Sequence, residues 1–219
     1  SLDRIINRGG TIYRASSSQR WPGTAAVFVS VILIQKGLFV GEKVLDGVVT
    51  SSISAFLDTF SMLGKPKKLH ENKDISFIGS YVLGKGFVLE IEKAEKLINK
   101  NPNNRDVLFP YLIGKDLNSR PDQTPSRWVI NFFDWPLEKA ERYEDCIPIV
   151  REKVKPHRDK VKRKSNREKW WIYAETRPGL YSSIENMDQV IVCARVTKYP
   201  KFSIVPTGVV YSEAIVVIA

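Results

Sequence analysis

The sequence predicts a mixed α/β fold of the α+β kind, a β-hairpin unit followed by a β-rich domain that carries several helices. Three observations predict it. Runs of β-branched residues of strand length, punctuated by Gly, Pro and Ser, occur near both ends of the chain, at residues 10–35 and 189–218. Residues 90–100 place Ala94, Leu97 and Ile98 at helical spacing beneath a charged face. Residues 106–135, DVLFPYLIGKDLNSRPDQTPSRWVINFFDW, crowd prolines, small polar residues and aromatics too densely for an ordinary core element. With 43% apolar residues in 219, there is material for one large domain or two small ones.

Taken in order, residues 10–15 and 24–35 are two β-rich runs separated by a Ser-rich turn and Trp21, Pro22 and Gly23, a hairpin-like unit. The longest apolar run, residues 25–34, is about half of what a membrane-spanning helix needs and is β-branched. It reads as a buried strand, and no membrane segment is expected. Residues 51–62 read as a short amphipathic helix, broken by GKPKK at 64–68. Residues 76–89 alternate apolar side chains around Gly79, Gly84 and Gly86, which predicts strands joined by a tight turn. The GKG there matches neither a phosphate-loop nor a dinucleotide fingerprint. The 90–100 helix is stopped by Asn101, Pro102, Asn103 and Asn104.

Asp134, Trp135 and Pro136 begin a helix that runs to about Glu144, with a capping carboxylate and a proline in the first turn. Pro148 begins another, which Pro156 must kink or divide. Four short strands, residues 189–197, 201–205, 208–211 and 215–218, complete the chain and leave their loops free to vary. The chain starts at Ser1, without Met, on an amphipathic scrap and finishes on the apolar AIVVIA, which reads as a segment cut from something longer.

The formal charge of +10 is unevenly spread. Residues 151–169 carry ten Lys or Arg against three carboxylates and run into Trp170, Trp171 and Tyr173. Such a run beside a polyanion releases condensed counterions, giving affinity without sequence information. Guanidinium and aromatic faces suit phosphates and unstacked bases. A solvated helix face is the plainer reading of a charge run; a membrane surface is disfavoured because bulky apolar residues are not interleaved. The candidate contacts on this arm are Lys153, Lys155, Arg158, Lys162, Arg163, Lys164 and Arg167. Trp171 reads as core, since paired tryptophans bury too much area to stay exposed without a ligand.

Two more places could meet nucleic acid. In residues 118–128, NSRPDQTPSRW, two prolines fix an irregular loop with little entropy left to lose. Its Arg120 and Arg127 can pair with guanine O6 and N7 or bridge phosphates; alternatively they pair with Asp116, Asp122 or Asp134 and lock the loop. The late loop VTKYPKF presents Lys198, Tyr199 and Lys201 between two strands, either to a DNA groove or to solvent as a solubilising turn.

No catalytic, cofactor-binding or metal-binding residue is assigned. Cys146, Cys193, His70 and His157 have no partners at metal spacing, and no Ser-His-Asp or Cys-His arrangement is visible. Two cysteines without a signal sequence fit a reducing cytoplasm, with a disulfide left open. A metal-dependent nuclease centre needs an acidic pair followed closely by Glu-x-Lys; the only such tripeptide, Glu71-Asn72-Lys73, precedes Pro121-Asp122.

VLFPYLIGKDL at 107–117, NSRPDQTPSRW at 118–128, the following VINFFDWPLEKAERY, and the Trp170 to Tyr181 segment resemble the target-recognition region of MmeI-like and TaqI-like adenine-N6 DNA methyltransferases of restriction-modification systems. The resemblance also covers RWPGTAAVFVSVILIQKG, similar to the last antiparallel strands of the family's methyltransferase sheet. It implies three parts: residues 1–45 as the end of the methyltransferase domain, 46–105 as linker and start of the recognition domain, and 106–219 as the DNA target-recognition domain.

The implied partners are double-stranded DNA and the upstream methyltransferase domain. The implied cofactor is S-adenosylmethionine in the parent enzyme and none in this segment. Asn101-Pro102-Asn103-Asn104 begins like the family's Asn/Asp-Pro-Pro-Tyr/Phe tetrapeptide but lacks its second proline and its aromatic, so the segment alone is not expected to catalyse methyl transfer. A general RNA or single-strand binder, with little preference for duplex DNA, and a basic scaffold docking an acidic protein remain the alternatives.

Overall fold

A computed structural model describes residues 1–59 and 69–219. The chain forms two compact units, Ser1–Lys68 and Leu69–Ala219, and is α+β as its sequence predicts. In the first unit a short helix, α1 (Leu2–Ile6), leads into β1 (Gly10–Arg20) and β2 (Phe28–Lys36), the expected hairpin, followed by β3 (Lys43–Leu45) and β4 (Val48–Thr50). The sheet order is β2-β1-β3-β4, with β1 and β3 parallel.

Residues 25–34 do not form a buried strand. β2 is the edge of this sheet, and the core beside it consists of Ile12, Ala15, Leu45 and Ile53, against which Ile32 alone of β2 packs. Phe28 is consequently 73% exposed, with Val27 and Val31 also in the open. The helix expected over 51–62 is absent from 51–59. There the Ser54 hydroxyl accepts from Phe56 N at 3.0 Å and Ser54 N donates to Asp58 O at 2.9 Å, so a side-chain-closed turn replaces helical bonding. Residues 60–62 and the GKPKK breaker lie outside the described residues.

The second unit holds two four-stranded sheets. β5 (Ser76–Ile78), β9 (Gln189–Ala194), β10 (Phe202–Pro206) and β12 (Ile215–Ile218) form one, in the order β10-β9-β12-β5. β6 (Val88–Leu89), β7 (Leu108–Leu112), β8 (Arg127–Ile130) and β11 (Val210–Tyr211) form the other, in the order β11-β7-β8-β6. The alternation at 76–89 therefore marks two strands of different sheets, a correction to the tight turn expected there.

The glycines of that stretch serve close approach. A Cβ on Gly79 would strike the carbonyls of Tyr211 and Ser212, and one on Gly86 would strike Lys153 and Val154. GKG is thus a packing device against the helix that carries the basic run.

The helices of this unit are α2 (Ile91–Lys100), α3 (Gly114–Ser119), α4 (Leu137–Ala140), α5 (Ile147–Lys153), α6 (Lys155–Arg158), α7 (Lys164–Glu168) and α8 (Pro178–Ser183). α2 matches its expected span. The Asn101 side chain accepts from Asn103 N at 3.1 Å, and Asn104 Nδ2 donates to Leu97 O at 2.8 Å, so the Asn-Pro-Asn-Asn run is a helix stop. α4 is one turn instead of ten residues, and its N-cap is Pro136, without a side-chain bond from Asp134. Phe133 just before it holds φ +53, and Asn131 Oδ1 accepts from Phe133 N at 2.9 Å, which delays helical geometry. Pro156 divides the basic helix as predicted, with Val154 between α5 and α6.

Two cores result. Phe87, Val129, Ile130, Phe132, Val150, Trp170 and Tyr173 belong to one; Leu112, Leu180, Val192, Tyr211, Ile215 and Val217 belong to the other. Trp171 is core as expected, its Nε1 donating to Trp135 O at 2.9 Å, and Tyr173 Oη donates to Ile130 O at 2.8 Å. These rings are spent on packing, so the aromatic cluster behind the basic run offers no stacking platform for bases.

Candidate nucleic-acid interface

The basic run folds into α5, α6 and α7, and its residues do not share one role. Ile147, Val150 and Val154 recur at three- and four-residue spacing and are buried, and Arg158 falls four residues further along the same stripe. The expectation that Arg158 is exposed on the arm is therefore corrected: it is 0% exposed. Its Nε donates to Leu83 O at 2.9 Å, and its Nη2 donates to Val82 O and Ile172 O at 3.0 Å each. The Phe87 ring lies 5.9 Å from the guanidinium carbon. Burial pulls its pKa downward, but an arginine starts so high that it stays charged. Arg158 is a structural cation that ties the arm to the 82–83 backbone.

The remaining arm candidates reach the surface to different degrees. Lys153 and Lys162 are exposed and without ion-pair partners among the described residues. Lys155 pairs with Asp159 at 3.2 Å and Lys164 with Glu168 at 3.5 Å, both i,i+4 pairs in solvent. Exposed pairs of this kind hold their partners weakly and yield readily to a phosphate. Arg163 pairs with Glu175 at 2.8 Å. Arg167 is half-buried and turned back on its own segment, Nη1 donating to Val161 O and Lys162 O at 2.8 Å each. It shapes the turn between α6 and α7 more than it offers charge.

The loop after α3 is irregular, as its prolines predict. Buried Asp116 ties the start of α3 to the far end of the loop, Oδ2 accepting from Ile113 N at 3.2 Å and from Ser126 N at 3.3 Å. Inside it, the Arg120 guanidinium grips Asp122 twice, Nε to Oδ1 at 3.1 Å and Nη2 to Oδ2 at 2.9 Å, and reaches Thr124 Oγ1 at 3.0 Å. The bonds from Arg120 and Thr124 pull the Asp122 carboxyl down to about 2. Of the two readings open for the loop arginines, Arg120 takes the internal one. Arg127, at the start of β8, is exposed and free of ion pairs among the described residues. Arg120 and Arg127 line one cleft together with Lys115 and Ser126.

The late loop joins β9 to β10 as a hairpin connection, with Lys198, Tyr199 and Lys201 exposed. Lys198 Nζ sits 5.0 Å from the centre of the Tyr199 ring, and Thr197 Oγ1 donates to Tyr199 O at 2.9 Å. Asn118 Nδ2 donates to Val196 O at 3.2 Å, so the fold brings this tip beside the loop that carries Arg120. Among the described residues no hydrogen bond or ion pair joins the α5–α7 arm to either loop.

Sequence reasoning missed Lys169, Asn166 and Arg177, which the fold gathers with Arg163 around a groove beside α7. Lys169 was visible as part of the charge run; the neutral Asn166 carried no signal. Cys146 is buried, and burial pushes its thiol up to about 12. Among the described residues no helix is long and apolar enough to cross a membrane, and among them no cluster of three His, Cys, Asp or Glu is placed to hold a metal ion.

Compared with known proteins, the chain matches no protein-family model and no curated protein. Its fold is similar to that of part of the Type IIL restriction-modification enzyme MmeI, solved in complex with DNA, with a TM-score of 0.61 at 12% identity. The match covers 97% of this chain and 30% of the enzyme, so the chain spans less than a third of that protein's length. At this identity the likeness is one of fold, and it runs through both units of the chain.

Proposed function

We propose that this chain is the DNA target-recognition portion of a site-specific adenine-N6 DNA methyltransferase of a restriction-modification system. The observation that supports the reading is the fold likeness over 97% of the chain to a Type IIL restriction-modification enzyme solved in complex with DNA. The chemistry of the surface supports it: exposed cations on the arm provide phosphate contacts without sequence information, while Arg127 and the hairpin tip offer side chains for base edges. On this reading residues 1–45 are the last strands of the methyltransferase domain, S-adenosylmethionine binds upstream, and double-stranded DNA and that domain are the partners. The recognition portion orients the duplex and stabilises the extruded adenine, whose unstacking costs a few kcal/mol. The setting is cytoplasmic.

Binding of this chain to a labelled duplex, the matching single strand and an RNA duplex tests the proposal. Duplex DNA is expected to bind best, with affinity falling by orders of magnitude between about 50 and 200 mM salt if six or more phosphates are neutralised. Equal preference for single strands or RNA, or binding indifferent to salt, would overturn it. Labelled S-adenosylmethionine should yield no methylated DNA with this chain alone.

A further inference from the structure

The groove between α7 and the segment leading into α8 is lined by Arg163, Asn166, Lys169, Glu175 and Arg177, among others. One buried polar atom there lacks a partner among the described residues, and a second polar side chain is left to solvent. Asn166 is 9% exposed as a residue, and among the described residues its amide makes no hydrogen bond but keeps contact with solvent in the groove. Arg177 Nε is buried and has no acceptor. Native structures rarely leave buried polar groups unpaired, because a donor that has lost water and gained nothing raises the free energy of the fold.

What these groups need is specific. Arg177 Nε can only donate, the Asn166 amide nitrogen donates twice, and the Lys169 ammonium, with no ion pair among the described residues, donates three times. Three cations face one carboxylate. Glu175 is already divided between two of them, its Oε1 taking a bond from Arg163 at 2.8 Å and its Oε2 lying 4.0 Å from Arg177 Nη1. The surplus is of positive charge and of N–H groups, and the complement to both is a compact oxyanion with several acceptor oxygens.

We infer that this groove is a phosphate site that seats one backbone phosphodiester of duplex DNA, with Asn166 and Arg177 donating to its oxygens and Lys169 and Arg163 supplying charge. The source of the phosphate rests on the DNA-binding reading above; the phosphate chemistry does not. The site differs from the exposed lysines of the arm because the unpartnered Arg177 Nε and the recessed amide of Asn166 set it, giving one fixed phosphate position. Glu175 holds Arg163 ready and competes with the phosphate for it.

Asn166→Leu separates this role from a merely structural one. Replacing an amide that bonds to nothing in the protein by an apolar side chain of similar size should leave the thermal midpoint nearly unchanged, while affinity for a 20-base-pair duplex falls about tenfold. Glu175→Gln should bind the duplex more tightly, and Arg177→Gln should lower the salt slope by about one counterion. A second arm uses the unaltered chain: the side-chain amide signals of Asn166 and the Nε–H signal of Arg177 are followed by NMR as inorganic phosphate is added at constant ionic strength. Both should shift and saturate.

Wild-type affinity and salt slope in all three variants, with no phosphate-dependent shift, would overturn the site and leave DNA binding intact. Saturable shifts in a chain that does not bind duplex DNA would support the phosphate site and sink the reading it was placed in. Should Asn166→Leu fail to fold, Asn166→Asp keeps the shape and puts a negative charge against the phosphate, and unchanged affinity there also counts against the site.

Discussion

Arg158 is a cation held by three carbonyls and a ring face, with no carboxylate among its hydrogen-bond partners. Removing it strands those carbonyls in the core, so Arg158→Met should destabilise the chain by about 2–4 kcal/mol in chemical denaturation. DNA affinity of the folded variant should be unchanged; normal stability with weakened binding would restore Arg158 to the interface. The opposite allocation applies to the loop arginines. Arg120 is committed to Asp122, and Arg127 makes no ion pair among the described residues. On the proposed reading, Arg127→Ala in the intact enzyme should shift the preferred site by about 1–3 kcal/mol at one position, measured as methylation across a site library. Arg120→Ala should lower activity evenly across sites through a loosened loop, and the reverse pattern would exchange the two roles.

The Arg120–Asp122 pair also has a pH signature. A carboxyl depressed to about 2 adds stability to the loop above the ordinary carboxylate value of about 3.9, and the contribution is lost only as pH falls toward the folded value. The Asp122 carboxyl carbon should titrate near 2 by NMR. A midpoint near the ordinary value would mean that the pair is open in solution.

At the scale of the elements, the arm divides into an inner face that packs and an outer face that remains charged. Neutralising Lys153, Lys162 and Lys164 together should weaken all duplex sequences about equally and flatten the salt slope, because backbone contacts carry no sequence information. Replacing Lys198 and Tyr199 at the hairpin tip should instead alter site preference, and a uniform loss from the tip would deny it a reading role. The inner face depends on Gly86. A methyl there collides with Lys153 and Val154, so Gly86→Ala should cost about 1–3 kcal/mol and lower the unfolding midpoint.

Charge density, helix stops and turn chemistry were legible in the sequence because they are local. The split at Pro156, the stop at Asn101 and the irregular loop between Ser119 and Arg127 follow from single residues whose backbone options are few, although the ends of the 118–128 stretch belong to α3 and β8. The direction of Arg158 was nearly legible, since Val150 and Val154 already mark an inward stripe. Partnership was not. The alternation at 76–89 says that strands are present, but which strand pairs with β5 or β6 depends on residues more than 30 positions away. The groove beside α7 was invisible for the same reason: Asn166 and Arg177 meet only through the fold.

For the molecule as a whole, the two units differ in how much holds them together. Among the described residues, the Leu69–Ala219 unit has two cores, whereas the Ser1–Lys68 unit has one small cluster centred on Ile12, Ala15, Leu45 and Ile53. Since stability follows buried apolar area, the first unit should open at much lower free energy than the second. Its edge strand β2 adds a second weakness, an unpaired row of backbone groups flanked by exposed Phe28, Val31 and Leu33. An apolar edge of this kind is an aggregation hazard in isolation and suits contact with another apolar surface. On the proposed reading that surface belongs to the methyltransferase domain. Amide hydrogen exchange should therefore be fast across β1 and β2 in this chain and slow in β7, β8 and β12. In the intact enzyme β1 and β2 should become protected, while the exchange of β7, β8 and β12 changes little. Equal exchange of β1 and β2 in the two contexts would show that no neighbouring domain covers them, and would remove the strands from the proposed methyltransferase sheet.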